Sequence, residues 1–131
     1  MINTGDRSAG VLQLALFGDE AIPHLVGEVR ITNFHLDWPS PSLAALAGLK
    51  RIGADRLAAS DRDFLRSQAD LATSQVTALL AEPHRGDARW QHEIGGRVAI
   101  VKEIASLVGP RTQWDEQVRE AERAVGSARA K

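Results

Sequence analysis

The sequence predicts a mainly α-helical protein, in which an antiparallel helical hairpin over residues 60–110 is joined by one or two further helices and an N-terminal extended or short β segment. Two stretches repeat apolar residues with a four-three spacing, which is typical of helices that pack along their length. Turn-forming residues at 82–87 separate these stretches, and Gly109-Pro110 supplies a helix stop after the second. The apolar seams are Leu65, Ala69, Ala72, Val76 and Leu79 in the first arm, flanked by Phe64 and Leu71, and Ile94, Val98, Val101, Ala105 and Val108 in the second.

Length and composition restrict the class of protein. The 131 residues fit one domain, and a hydrophobic content of 44% is ordinary for a globular protein. The 16 basic and 17 acidic side chains give a net charge of -1, so no overall field attracts nucleic acid or an anionic membrane. The chain has no cysteine, which excludes disulfides, thiolate nucleophiles and cysteine metal sites. No apolar run is long enough to span a membrane, and the first residues lack the pattern of a signal peptide.

Residues 1–40 are expected to form an N-terminal arm that contains a candidate β element. Residues 1–10 are polar and predict a loose start. Residues 11–17 are strongly apolar, and their periodicity does not separate a buried strand from a helical turn. Residues 19–26 fit one or two helical turns, interrupted by Pro23.

The best strand candidate covers residues 28–38. Its apolar side chains alternate with polar ones, as a half-buried strand requires. These alternating apolar residues are Phe34, Leu36 and Trp38. The main alternative is an irregular N-terminal segment that is bound to a partner.

A helical domain is predicted over residues 41–131. The break at residues 39–42 precedes its first helix, because Ser40 is a good cap and Pro41 suits the first helical position. The apolar positions of this helix are Leu43, Leu46, Leu49, Ile52 and Leu57.

The next helix is predicted to start at Ser60, because Ser60 and Asp63 have the spacing of a capping box. The alternative is one long helix in which residues 42–58 continue into 61–81, since no proline interrupts them.

A last helix is predicted to start near Thr112 and Asp115, after the Gly109-Pro110 stop. Its apolar residues repeat at four, three and four. They are Trp114, Val118, Ala121 and Val125. Residues 126–131 are expected to form a frayed tail.

The side chains that carry chemistry do not assemble into a known pattern. No two histidines have the i, i+4 spacing of a zinc-protease helix, and no serine lies in a nucleophile elbow. Asp61 and Asp63 fit first-turn acids that a helix dipole favours. Gly86-Asp87, within an Arg-Gly-Asp tripeptide, suits a turn followed by a helix cap. We therefore predict no catalytic residue, no metal ligand and no cofactor, and we predict that the protein is not an enzyme. An enzyme would need a buried cluster of polar side chains, which the sequence does not display.

Basic residues on the first predicted helix of the domain give a weak case for nucleic-acid binding. Lys50, Arg51 and Arg56 share that helix. Asp55 interleaves with them, which favours a solvated face of mixed charge over a phosphate track.

Residues 90–110, WQHEIGGRVAIVKEIASLVGP, resemble a pattern common in small proteins of tailed bacteriophages. That pattern has a helix with a Gly-Arg-Ile/Val core, a Leu/Val-x-Glu-Ile/Leu continuation and a closing proline. A first helix precedes it, begins near an aromatic residue, as at Phe64, and ends in an acidic turn, as at Glu82. The resemblance covers residues 60–110 and departs at Gly95, where a bulkier residue is expected. It implies a virion or virion-assembly component of the neck, portal, tail or particle interior.

The function expected from this resemblance is that of a non-enzymatic structural or assembly protein, a multi-copy component or adaptor of a tailed-phage virion. Its partners would be other protein subunits in a homo-oligomer or larger assembly, with no membrane and with nucleic acid disfavoured. It would be found in the virion, and in the host cytoplasm during assembly. The alternative is a small regulatory protein that binds a host protein or DNA.

The expected partner-binding residues are large and apolar. The N-terminal arm would add a strand to a neighbouring subunit or place its side chains in the neighbour's grooves. Tryptophan is enriched among binding hot spots, so Trp114, at the start of the last predicted helix, is added to the set. The set is Leu12, Leu14, Leu16, Phe17, Phe34, Leu36, Trp38 and Trp114.

Overall fold

The computed structural model describes residues 14–31, 39–82 and 87–129, and this part of the chain is mainly helical, without a strand. None of its helices is both long enough and apolar enough to cross a membrane. The elements in chain order are a 3-10 segment (Leu14–Ala21), α1 (Ile22–Glu28), α2 (Ser40–Ile52), a 3-10 turn (Ala54–Arg56), α3 (Ala59–Leu80), α4 (Ala88–Val108) and α5 (Thr112–Arg129).

The first elements of the chain are part of its own core. Leu25 and Val29 are fully buried, and they share one apolar cluster with Leu46 and Leu49 of α2. Two residues of the expected N-terminal arm over residues 1–40 are therefore part of the core, whereas the partner-binding role of the arm stays a prediction. The division of the chain at residue 40 stays a prediction.

Most of the predicted strand lies outside the described residues. Of residues 28–38, Glu28 is the last residue of α1, residues 29–31 have no regular structure, and residues 32–38 are not described. The short β element therefore stays a prediction.

α2 begins at Ser40, one residue before the predicted start, and ends at Ile52. Gly53 ends it with a φ of 121°, where residues with a Cβ are strained. A Cβ at Gly53 would also lie 2.8 Å from Oδ1 of Asp55. The alternative of one long helix is therefore wrong, and Leu57 is buried in the connection rather than in α2.

α3 starts at Ala59, with Ala58 at the cap position. The carboxylate of Asp61 accepts a hydrogen bond of 3.2 Å from the backbone N–H of Ala58. The predicted capping box of Ser60 and Asp63 is thus wrong by two residues. An acidic residue still lies three residues after the cap, as a capping box requires, but it is Asp61 and not Asp63. The helix starts earlier than predicted, directly after the 3-10 turn and Leu57.

α3 and α4 contact each other along their lengths, and the hydrogen bonds between them run in opposite sequence order. The indole N–H of Trp90 donates to the carbonyl of Leu79 at 2.7 Å, and Arg66 reaches the carbonyl of Val108 at 3.4 Å. The first predicted seam is buried from Leu65 to Val76. Residues 83–86 of the turn are not described, so the complete hairpin stays a prediction.

α4 is buried on more sides than its predicted seam. It contacts α2, α3 and α5. Ile100 and Ile104 belong to the cluster that includes α1 and α2, whereas Trp90 and Ile94 belong to a second cluster with α5. The prediction of one apolar seam therefore underestimated how much of α4 is buried, because three helices pack against it.

α5 follows the predicted stop. Gly109 has a φ of 98° and donates its N–H to the carbonyl of Ala105 at 2.9 Å. α5 starts at Thr112 and continues to Arg129, so the frayed tail predicted over residues 126–131 is wrong for 126–129. One glycine costs a helix only about 1 kcal/mol, and Gly126 does not end it.

Trp114 links α5 to α3 by packing in the core and by a hydrogen bond. Its side chain is 1% exposed, and its indole N–H donates to Oδ1 of Asp70 at 2.8 Å. Arg111 lies 3.4 Å from the other oxygen of Asp70 and 5.3 Å from the centre of the Trp114 ring. The expected role of Trp114 as an interface anchor is corrected, because its ring is part of the core.

We expect Asp70→Ala to lower the free energy of unfolding by about 1–3 kcal/mol, since it leaves the buried indole N–H without an acceptor. Asp70→Asn keeps an acceptor oxygen and should lose less. Urea unfolding followed by circular dichroism measures both. The control is Asp63→Ala, which removes an exposed ion pair with Arg66 and should cost at most about 1 kcal/mol. Equal losses at the two positions would contradict this role in linking α5 to α3.

Asp87 is the N-cap of α4, as the sequence predicts, and its Oδ1 accepts from the N–H of Trp90 at 2.7 Å. Asp87→Ala should lower the free energy of unfolding by about 1 kcal/mol, because an N–H of the first turn loses its partner. Asp87→Ser should retain most of the stability in the same urea titration. Equal losses from alanine and serine would show that the cap contributes nothing.

Candidate interaction surface

The residues predicted to bind a partner fall into three groups. Trp114 is in the core, as described above. Leu14, Leu16 and Phe17 are in the first 3-10 segment, which contacts α1 and α2. The others, Leu12, Phe34, Leu36 and Trp38, lie outside the described residues.

α3 carries the large apolar side chains that the described structure leaves exposed. Phe64 is 37% exposed and Leu71 is 42% exposed. Seven residues apart, they lie on the same face of the helix, two turns and about 10 Å from each other. Ser67 and Ser74 beside them are also exposed, so small polar residues border the pair. The sequence indicated both apolar residues only as flanks of the buried seam.

Gln68 connects this face to the N-terminal part of the chain. Its Oε1 accepts a hydrogen bond of 3.2 Å from the backbone N–H of Ile31. Gln68 follows Phe64 by four residues and precedes Leu71 by three, so the three side chains share one face. Ile31, the last described residue before residues 32–38, is therefore hydrogen-bonded to the face of α3 that carries Phe64 and Leu71.

Ser42, in the first turn of α2, forms hydrogen bonds with the backbone of residues 28 and 30. Its side chain is buried, and its Oγ accepts from the N–H of Arg30 at 3.1 Å. The hydroxyl donates toward the carbonyls of Glu28 and Arg30, at 3.0 and 3.2 Å. The start of α2 is thus fixed beside residue 30. Sequence reasoning missed Ser42 and Gln68, because no local pattern signals a hydrogen bond between distant residues.

Glu93 and Arg97 form a buried ion pair at the contact of α3 and α4. Glu93 is 6% exposed and Arg97 is 3% exposed. The guanidinium donates to the Glu93 carboxylate and carbonyl, and its Nε donates to Oε1 of Gln75 at 2.8 Å. Oε1 of Glu93 is buried and has no hydrogen-bond partner. The sequence signal was the i, i+4 spacing of Glu93 and Arg97, each of which directly precedes a residue of the predicted apolar seam, Ile94 or Val98.

Surface grooves run along α5 on its sides facing α3 and α4. The groove between α3 and α5 has a volume of about 350 Å³ and is lined by polar side chains such as Thr73, Ser74 and Gln113. The groove between α4 and α5 has about 560 Å³ and is bordered by Lys102 and Arg119. Among the described residues, no three histidine or acidic side chains cluster as a metal site would require.

Two exposed basic residues of the described chain face acidic ones. Lys50 pairs with Glu103, and Arg56 lies 3.1 Å from Asp19. These pairs reduce the local positive potential, which disfavours a continuous track for phosphates on α2.

Comparison with known proteins identifies no relative of this chain. No protein-family model, no curated protein and no solved structure matches the chain.

We expect Arg97→Met to lower the free energy of unfolding by about 3–5 kcal/mol, because Glu93 is left as an unpaired buried charge. The double variant Glu93→Leu, Arg97→Met should recover much of that loss, since neither charge remains. Urea unfolding of both single variants and the double variant gives the coupling energy.

The matched control is Lys102→Met, which breaks the exposed pair with Glu122 and should change stability by at most about 1 kcal/mol. A double variant that loses the sum of the two single losses would contradict direct coupling of Glu93 and Arg97.

Proposed function

We propose that this protein is a non-enzymatic structural or assembly protein, present in many copies in a tailed-phage particle, and that it acts through protein–protein contacts. The observation that carries the proposal is the exposed pair Phe64 and Leu71 on one face of α3.

The chemistry of this surface supports contact with protein. Apolar surface bordered by polar residues is typical of sites where proteins associate, because water is released when it is covered. Aromatic residues are enriched in the cores of such interfaces. Phe64 lies on α3, whose 22 residues form a rigid support about 33 Å long.

The assignment to a phage particle rests on the resemblance of residues 60–110. The proposal takes α3 and α4 as the two arms of that helical hairpin, with the surface on the outer side of the first arm. It places the protein in the virion, and in the host cytoplasm during assembly.

A small regulatory protein that binds a host protein or DNA is the second candidate. Binding to DNA would be favoured by a continuous basic surface, whereas Lys50 and Arg56 pair with acids. A stable monomer would favour a regulatory protein that binds another protein.

The test is the native mass of the full chain, measured by multi-angle light scattering over a range of concentrations. We expect a concentration-dependent oligomer that becomes a monomer in Phe64→Gln, Leu71→Gln, because the apolar contact is lost. The control Thr77→Gln changes an exposed side chain on another face of α3 and should leave the oligomer intact. Circular dichroism shows whether each variant keeps its helices.

Two results would contradict the proposal: a wild-type chain that stays monomeric at the highest concentration, or a double variant that assembles as the wild type does. Point substitutions are preferable to removal of residues 1–40, since that deletion would also remove Leu25 and Val29 from the core.

A further inference from the structure

We propose that the exposed face of α3 binds the same face of a second copy of this chain, with the two helices antiparallel. This inference rests on the proposed function and deepens it, because it names the partner of the exposed pair Phe64 and Leu71 and the orientation in which that partner binds. The contact is made by six exposed positions, called here the α3 stripe: Ser60, Phe64, Ser67, Leu71, Ser74 and Ala78.

The α3 stripe has the spacing by which helices pack on one another. Its members follow each other at intervals of four, three, four, three and four residues. This spacing keeps them on one face along the helix, as in the seam of a coiled coil. The buried seam from Leu65 to Val76 has the same rhythm and packs inside the chain. α3 therefore carries two packing seams, one buried and one exposed.

The α3 stripe contains no charged side chain. The acids beside it are bound by residues of their own chain. Asp63 lies 3.1 Å from Arg66, and Asp70 accepts a hydrogen bond from the indole of Trp114. Two copies of the stripe can therefore meet without placing an unpaired charge between them, which would cost more than the apolar contact gains.

The order of large and small side chains favours antiparallel helices. When two antiparallel copies are centred at residue 69, Phe64 of one copy lies opposite Ser74 of the other. In the same register, Leu71 of one copy lies opposite Ser67 of the other. Each large side chain then meets a small one, so the two stripes interdigitate.

A parallel pair of stripes would pack less well, because each residue would face its own counterpart. Phe64 would meet Phe64 and Leu71 would meet Leu71, whereas Ser67 and Ser74 would form layers of two serines. Such layers leave gaps between the large ones, and close packing does not tolerate gaps. The antiparallel register avoids them.

The dimensions of the α3 stripe correspond to a weak contact. The 22 residues of α3 extend for about 33 Å, and a helix with its side chains is about 10 Å wide, so the stripe offers on the order of 300 Å² per copy. Stable complexes bury about 800 Å² per partner, and transient ones bury less. The association therefore depends on concentration, and a covalent bond is a suitable way to record it.

Disulfide trapping measures the orientation, because the chain has no cysteine and introduced thiols are the only ones. Ser60→Cys and Ala78→Cys chains are purified separately, mixed in equal amounts and oxidised at the highest concentration used for light scattering. Intact mass distinguishes the mixed dimer from the two dimers of like chains. The matched control mixes Ser60→Cys with Thr77→Cys, the neighbouring exposed residue on another face of α3. Circular dichroism shows whether each variant keeps its helices.

We expect the mixed disulfide of residues 60 and 78 to form about tenfold faster than either like-chain disulfide and than the control. Antiparallel stripes place these two positions opposite each other, whereas two copies of either position lie about 27 Å apart along the helix axis, too far for a disulfide. Like-chain disulfides that form faster than the mixed one would overturn the antiparallel orientation. Equal rates in all mixtures would overturn a contact through this face.

The same data separate this inference from the proposed function. A chain that associates in light scattering, dissociates in Phe64→Gln, Leu71→Gln and yet gives no preference for the mixed disulfide would keep the proposed function and lose the antiparallel contact. A wild-type chain that stays monomeric and gives equal disulfide rates would contradict both.

Discussion

The described structure depends on the burial of α4 between three neighbouring helices. Ile94, Ile100 and Ile104 are fully buried, although they point to different neighbours along the helix. α2, α3 and α5 all contact α4, so a change in its position would disturb both apolar clusters together. Because protein interiors are close-packed, such a central helix fixes the spacing of the elements around it.

The ion pair of Glu93 and Arg97 adds a directional requirement to this apolar packing. Apolar contacts tolerate a small rotation of a helix, whereas a buried guanidinium must keep its hydrogen bonds. Arg97 meets Glu93 on its own helix and Gln75 on α3, which together favour one rotation of α4. The unpartnered Oε1 of Glu93 shows that the carboxylate is only half satisfied, so this specificity has a cost in stability.

Local chemistry was readable from the sequence, and distant contacts were not. The cap at Asp87 and the stop at Gly109 depend on neighbouring residues, and the structure has both where they were predicted. The end of α2 at Gly53, by contrast, was not predicted, since a glycine can also lie inside a helix. Burial of the N-terminal elements was missed because it depends on the packing of Leu25 and Val29 against Leu46 and Leu49, which no local pattern signals.

The candidate surface shows why an apolar pattern alone does not separate packing from binding. Leu65 and Phe64 are neighbours of similar hydrophobicity, yet Leu65 is fully buried and Phe64 is exposed. What separates them is coverage, because α1, α4 and α5 contact α3 and together leave Phe64 exposed. On the same exposed face, the side chain of Gln68 accepts a hydrogen bond from the backbone N–H of Ile31. A large apolar residue beside a buried seam therefore gains a functional meaning only when the neighbours of its helix are known.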